Sequence, residues 1–297
     1  MDLSVILSGQ LLASVLVLAS LYALVAIGLN LVYGTMRLLN VAHGELVMLG
    51  GYVAYWGFAQ WGISPLISAL FAMAVAAAAG ALIYIAVIRR LFRSRFQARV
   101  EANSLLVFFG ISIIVQNVTA LAFTANNRGY SYLDDVIAIG DARIAANRLA
   151  ALAVASVACF ACALFFRFAR SGMAMRAIIQ HREAAALVGI DVDRINLQVF
   201  ALGFALAALA GALISMTQTI SPFMGFPFTV SGFVIIILGG LGNLPGSIFG
   251  ATILAAVEVY GVTLISPSFR SILVYGVFIA ALVLRPQGLL GRPIKAR

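Results

Sequence analysis

The sequence predicts an all-α, polytopic membrane protein with eight or nine transmembrane helices, some of them broken or re-entrant. Three observations predict it. Of 297 residues, 63% are hydrophobic and only 10% are charged, against about 25% charged in a soluble domain. The mean hydropathy is +1.09, so the polar shell that a soluble core of this size needs is missing. The apolar residues fall in stretches near the length that crosses a hydrocarbon layer, about 20 residues. A water-soluble enzyme, a disordered chain and a disulfide-stapled domain are excluded on these grounds.

The candidate spans, in chain order, are residues 11–32, 45–61, 66–88, 104–123, 149–166, 197–218, 228–238, 247–265 and 272–284. Gly50 and Gly51 interrupt the second, and the seventh is short and ends in glycines. Either is readable as a full crossing or as a broken, re-entrant element. The N-terminus lacks a basic region ahead of the first span, so no cleavable signal is expected. The whole chain, 1–297, reads as one transmembrane domain. The first and last three elements share a weak repeat of span, glycine-rich turn, span, span and basic stretch. Matching interruptions in repeated units point to a transport path.

Nineteen basic residues face ten acidic ones. In a soluble protein that balance would suggest nucleic acid; here a one-sided bias toward the cytoplasm explains it and no nucleic-acid partner is expected. Arg89, Arg90, Arg93, Arg95 and Arg99 follow the third span, and Arg167, Arg170, Arg176, Arg182 and Arg194 follow the fifth. Arg285, Arg292, Lys295 and Arg297 close the chain. Together with Arg37 these are fifteen of the nineteen. All lie on one side if nine elements alternate, which puts the C-terminus and residues 169–195 in the cytoplasm and the loop 124–148 on the opposite side, the periplasm if the membrane is a bacterial inner one. If one broken element does not cross, the N-terminus changes side and the rest stays.

Several polar residues stand out. Asn40, His43 and Glu45 mark the entry to the second element, where they either line a gate or cap the helix at the interface. Glu258 lies mid-span with no charge near it in sequence, and an intramembrane ionisable residue is a functional candidate by default. Gln116 and Asn117 are weaker candidates of the same kind. In LGGLGNLPGSIFGA, Gly242, Gly246 and Gly250 are four apart and would share one helix face for close packing. Pro245 marks a helix start, and Asn243 offers an amide at that break. Cys159 and Cys162 form C-x-x-C within an apolar run, where thiolates are disfavoured, and read as small apolar residues. No metal ligand set or cofactor motif is present.

The segment SGMAMRAIIQHREAAALVGIDVDRI predicts an amphipathic helix capped by Ser171, with Met175, Ile178, Ile179, Leu187 and Val188 on its apolar face. Gly189 follows its C-cap. The face has no Trp or Phe for lipid, so docking into a partner's groove is favoured. The one lysine is followed by Ala, so there is no phosphate-binding loop of the G-x-x-x-x-G-K-[ST] kind. No catalytic constellation is expected. If ATP drives a process here, another subunit hydrolyses it.

Four stretches, YALVAIGLNLVYGTMRLLNVAHGELVMLGGY, GMAMRAIIQHREAAALVGIDVDRI, LGGLGNLPGSIFGA and RPQGLLGR, spread from Tyr22 to Arg292. On these the chain resembles the LivH-type permease subunits of bacterial high-affinity ABC importers for branched-chain amino acids. The resemblance implies a multi-pass protein of the bacterial inner membrane. It implies a second, LivM-type permease, two cytosolic ATPase subunits and a periplasmic substrate-binding protein as partners. It makes the cytoplasmic loop a coupling element, in which Glu183, Ala184, Ala185 and Gly189 match an E-A-A-x-x-x-G core and Arg176 lies upstream. The later I-x-L-P part of that motif is absent. The other reading is a stand-alone secondary transporter or channel for a small polar solute. That class normally shows several paired intramembrane charges, and Glu258 is nearly alone in the sequence.

Overall fold

A computed structural model describes residues 8–92, 97–285 and 287–290. The sequence readings that fall on residues 1–7 and on Arg93, Arg95, Arg292, Lys295 and Arg297 lie outside these residues. The described chain is helical apart from one short hairpin. Its helices are α1 (Gly9–Met36), α2 (His43–Trp61), α3 (Pro65–Leu91), α4 (Gln97–Phe123), α5 (Ala146–Phe168), α6 (Arg170–Gln180), α7 (Arg182–Leu187), α8 (Val192–Ser215), α9 (Gly225–Gly239), α10 (Leu244–Leu264) and α11 (Arg270–Leu284). Seven helical segments are long and apolar enough to cross a membrane, the last running from Pro267 to Leu284; α9, of 15 residues, is shorter, and α2, of 19 residues, stands outside the seven. Each of the nine candidate spans overlaps one of them. The protein is a multi-pass membrane protein.

Local chemistry sets the helix ends. Ser8 accepts a hydrogen bond from the Leu11 amide at the start of α1, and Asp191 accepts one from Arg194 at the start of α8. Proline occupies the first turn of α3 and of α10, where its missing N–H is not needed. Gly62 ends α2 with φ of 62°. A π-turn over Tyr84–Ile88 interrupts α3. It lies where Tyr84 donates to the Asp193 carboxylate (2.8 Å) and Arg89 pairs with the same group (3.1 Å).

The loop 124–148 carries a hairpin that the helical reading did not anticipate. β1 (Val136–Ile139) pairs antiparallel with β2 (Ala142–Ala145), in register Val136 with Ala145, around Gly140 at φ 62°. The hairpin holds the start of α1: the Gly9 amide donates to Asp141, and the Arg143 amide donates to Gln10. Arg128 bridges to Ile220, and Tyr130 bonds Ser215 at the end of α8. This defines the hairpin end of the molecule. The other end gathers α6, α7 and most of the described arginines.

The core is the antiparallel pair α1 and α8. Both are buried along most of their length, with α8 packed on α3, α2 and α1, and α10 packed on α1. Glycine makes the approach possible: a Cβ on Gly28 or Gly203 would meet the other's carbonyl oxygen, and one on Gly211 would overlap the Val47 backbone. At about 1.5 Å per residue α1 is ~42 Å long. α2 does not start at its end. The His43 imidazole contacts the Val25 carbonyl, so the chain re-enters after Arg37 and begins α2 near the middle of α1. α9 does the converse. The chain turns back after α8 at the hairpin end, and α9 begins beside Gly44 and Phe228 stacks edge-on to Tyr22.

Candidate functional site

The N-termini of α2 and α9 meet at the middle of the bundle. Their backbones touch, since a Cβ on Gly44 would overlap the Gly225 carbonyl and the Thr229 hydroxyl. Thr229 accepts from the Gly44 amide (2.8 Å) and donates to the Val41 carbonyl (3.0 Å). Neither helix is capped by the side chain of its own N-cap residue, Ala42 or Met224. Two partial positive ends therefore converge.

Three residues of one turn surround this junction, all buried: Asn40, His43 and Glu45. The His43 Nε2 lies 3.1 Å from the Val25 carbonyl, so this nitrogen carries the proton and Nδ1 is the bare acceptor. Nδ1 has no partner. Glu45 accepts from Ser112 of α4 through Oε1 (2.9 Å), while Oε2 lies against Gly225 without a hydrogen bond. Neither amide atom of Asn40 is bonded. Buried polar atoms without partners are destabilising by about 1–3 kcal/mol each. Several in one turn mark a place built for something other than stability.

A second polar cluster lies toward the arginine-rich end. Asn30 of α1 accepts from the Gly242 amide (2.7 Å) and donates to the Asn243 carbonyl (3.0 Å) and the Ser247 hydroxyl (2.6 Å). It clamps the α9–α10 turn. A third lies toward the hairpin end. Glu258 of α10 pairs with Arg270 (2.6 Å) and accepts from the Tyr22 hydroxyl (2.6 Å), and Arg270 also donates to Tyr22 (3.3 Å). Glu258 and Arg270 border a cavity of ≈ 400 Å³ with Ser14, Arg148 and Gln218 also on its wall.

The loop at the arginine-rich end forms two helices rather than one. α6 starts after Ala169 and not at Ser171, and the chain kinks at His181, whose Nδ1 caps α7 by accepting from Ala184. Met175, Ile178 and Ala185 are buried, but Leu187 and Val188 are 89% and 78% exposed. Gly189 follows at φ 87°, a left-handed position. Glu183 and Ala184 are exposed beside them, and Arg176 donates to the Arg167 carbonyl.

The family model described as branched-chain amino acid transport system / permease component matches residues 11–282. The chain belongs to this permease family. It is similar to the high-affinity branched-chain amino acid transport system permease protein LivH of Escherichia coli K12, with 32% identity over 93% of both chains. It is similar to the permease protein BraD of Pseudomonas aeruginosa, with 30% identity over 96% of both. A more distant relative is the E. coli permease protein LivM, 27% identical over 92% of this chain and 68% of the other.

The permease brings together only some of the residues singled out in its sequence. Asn40, His43 and Glu45 gather at the α2–α9 junction. Asn40 does not cap α2, whose N-cap is Ala42. Gln116 and Asn117 lie on the outer part of α4, where the exposed Asn117 donates to its own helix at Ile113. Asn243 caps α10 through Oδ1 and donates to the Leu290 carbonyl, so both ends of its amide have a structural partner. Glu258 is not alone: Arg270 is distant in sequence and adjacent in space. Gly242 does not share a helix face with Gly246 and Gly250. It sits before α10 at φ 78°, presenting its amide to Asn30, whereas Gly246 and Gly250 face Gly239 and Ile235 of α9. Sequence reasoning missed Asn30, Ser112, Thr229 and Arg270. The polar Asn30 inside an otherwise apolar span was the one available signal.

Proposed function

We propose that the permease conducts a branched-chain amino acid, or a related small amino acid or amide, across the bacterial inner membrane as one subunit of an ABC importer. The single observation that carries this reading is the meeting of two helix N-termini, those of α2 and α9, at mid-bundle, with Asn40, His43 and Glu45 holding unpaired polar atoms. Helix N-termini favour a carboxylate, and Glu45 Oε2 is an acceptor suited to an ammonium group. An amino-acid zwitterion has both. The junction is closed in this conformation, so passage requires α2 and α9 to part.

The drive comes from other subunits. The arginine-rich end faces the cytoplasm, with the C-terminus inside and the hairpin in the periplasm. There the exposed Leu187 and Val188, next to Glu183, Ala184 and Gly189, dock an ATPase subunit, with Arg176 upstream. A second permease completes the path, and a periplasmic binding protein delivers substrate.

The test is uptake of labelled leucine into proteoliposomes holding the complete importer. Glu45→Gln and His43→Phe should each lower ATP-dependent uptake at least ten-fold with the complex still assembled. Wild-type uptake by both variants removes the junction from the path. Uptake by this chain alone, driven by an ion gradient, replaces the importer reading with a secondary transporter.

A further inference from the structure

A groove of ≈ 860 Å³ opens between α5 and α10 at the arginine-rich end, and the transport reading leaves its interior without a role, touching its rim only at Arg176. Its mouth is basic. Arg37, Arg167 and Arg176 line it and are exposed. Among the described residues the two ion pairs are Arg89–Asp193 and Arg270–Glu258, so none of the three mouth arginines is neutralised by a carboxylate there. Each is instead held by a neutral group. Arg37 lies over the Tyr33 ring, Arg167 over Phe168, and Arg176 donates to the Arg167 carbonyl. The first turn of α10 opens onto the same mouth and adds its partial positive charge.

Below the mouth the groove is apolar. Cys162 and Phe166 of α5 form one wall, Ile248 of α10 the other, and α1 the floor. α5 and α10 each pack on α1 and stand apart from one another, so the groove follows the spans into the bilayer. A cationic rim over an apolar trough is complementary to an amphiphile with an anionic head. Free phosphate would use only the rim.

We propose that this groove is a binding site for an anionic phospholipid, its phosphodiester held by Arg37, Arg167 and Arg176 and one acyl chain lying between α5 and α10. Guanidinium forks match phosphate oxygens bidentately, and basic pockets between spans suit anionic headgroups. The lipid also supplies the counter-charge that the protein lacks there.

Native mass spectrometry of the detergent-purified permease with its partner chains reads the site directly. The probes are phosphatidylglycerol, phosphatidylcholine with the same acyl chains, and inorganic phosphate. Phosphatidylglycerol should bind at least ten-fold more tightly than phosphatidylcholine. Arg37→Gln with Arg167→Gln should abolish that preference, and Ile248→Trp should weaken both lipids by filling the trough. Equal binding of the two lipids, an unchanged preference in the arginine variant, or displacement of the lipid by millimolar phosphate overturns the proposal. A phosphatidylglycerol carrying a diazirine on its acyl chain tests the wild-type protein without any substitution. Label should concentrate on peptides from α5 and α10. Label absent from both means that a protein partner covers the groove, and the proposal falls.

Discussion

Replacing Asn30 with Ala should destabilise the permease by about 3 kcal/mol, more than any change at a partner of Asn30. Asn30 makes three bonds, to the Gly242 amide, the Asn243 carbonyl and the Ser247 hydroxyl. Side-chain bonds between spans average about 0.6 kcal/mol, so their direct loss amounts to about 2 kcal/mol. The Gly242 amide then loses its partner in a part-buried turn, which adds about 1 kcal/mol at the low end of that penalty. Ser247→Ala removes one of the three bonds and leaves the clamp on Gly242 intact, so its effect should stay under about 1 kcal/mol. For a domain of this size each kcal/mol moves the midpoint by about 2–4 °C. Asn30→Ala should therefore melt ~6–12 °C below wild type, and Ser247→Ala within ~4 °C of it. The assay is heating in detergent followed by size-exclusion of a fluorescent fusion. A shift below 2 °C for Asn30→Ala, or an equal shift for Ser247→Ala, would refute the clamp.

Further outcomes follow from the packing and the ends of the molecule. Gly211→Val should abolish folded protein, or lower its melting point by more than 5 °C, because even a Cβ there overlaps the Val47 backbone; normal yield and melting would show that α2 and α8 do not meet there. Gly189→Ala should lose ATPase co-purification and uptake while the spans stay folded, since a Cβ at φ 87° costs roughly 1 kcal/mol and redirects the chain beside Leu187 and Val188. Glu183→Lys should act the same way through its charge, and retention of partners and uptake by both variants would remove the loop from coupling. Cysteines placed at Ser131 and Val188 should be labelled by an impermeant reagent in intact cells at the first position only; the reverse pattern would invert the topology.

Hydropathy and charge are sums over neighbouring residues, and whatever depends on such sums was legible in the sequence. The nine span positions and the gathering of the described arginines at one end belong here. So does the family, carried by stretches such as LNVAHGE and LGGLGNLPG that keep their order along the chain. The left-handed Gly189 was legible for a different local reason, the missing Cβ after a helix C-cap. The hairpin over Val136–Ala145 was not legible, because its two four-residue strands are too short to show an alternation. The kink at His181 was missed because an imidazole serving as a cap looks like any polar residue in an amphipathic run.

What only the tertiary structure decided is which polar groups face one another. Tyr22 and Glu258 are 236 positions apart, and Asn30 and the Asn243 carbonyl are 213 apart. No local pattern links them, because a span's length says nothing of its rotation or of its neighbours. The same holds for His43 against the Val25 carbonyl and for Gly44 against Gly225, which together place the starts of α2 and α9 at mid-bundle. Apolar composition commits this chain to helices in a bilayer, where each backbone satisfies itself. The few polar side chains are then free to be matched by packing, and only the packed bundle of α1 and α8 with the helices around them determines the match.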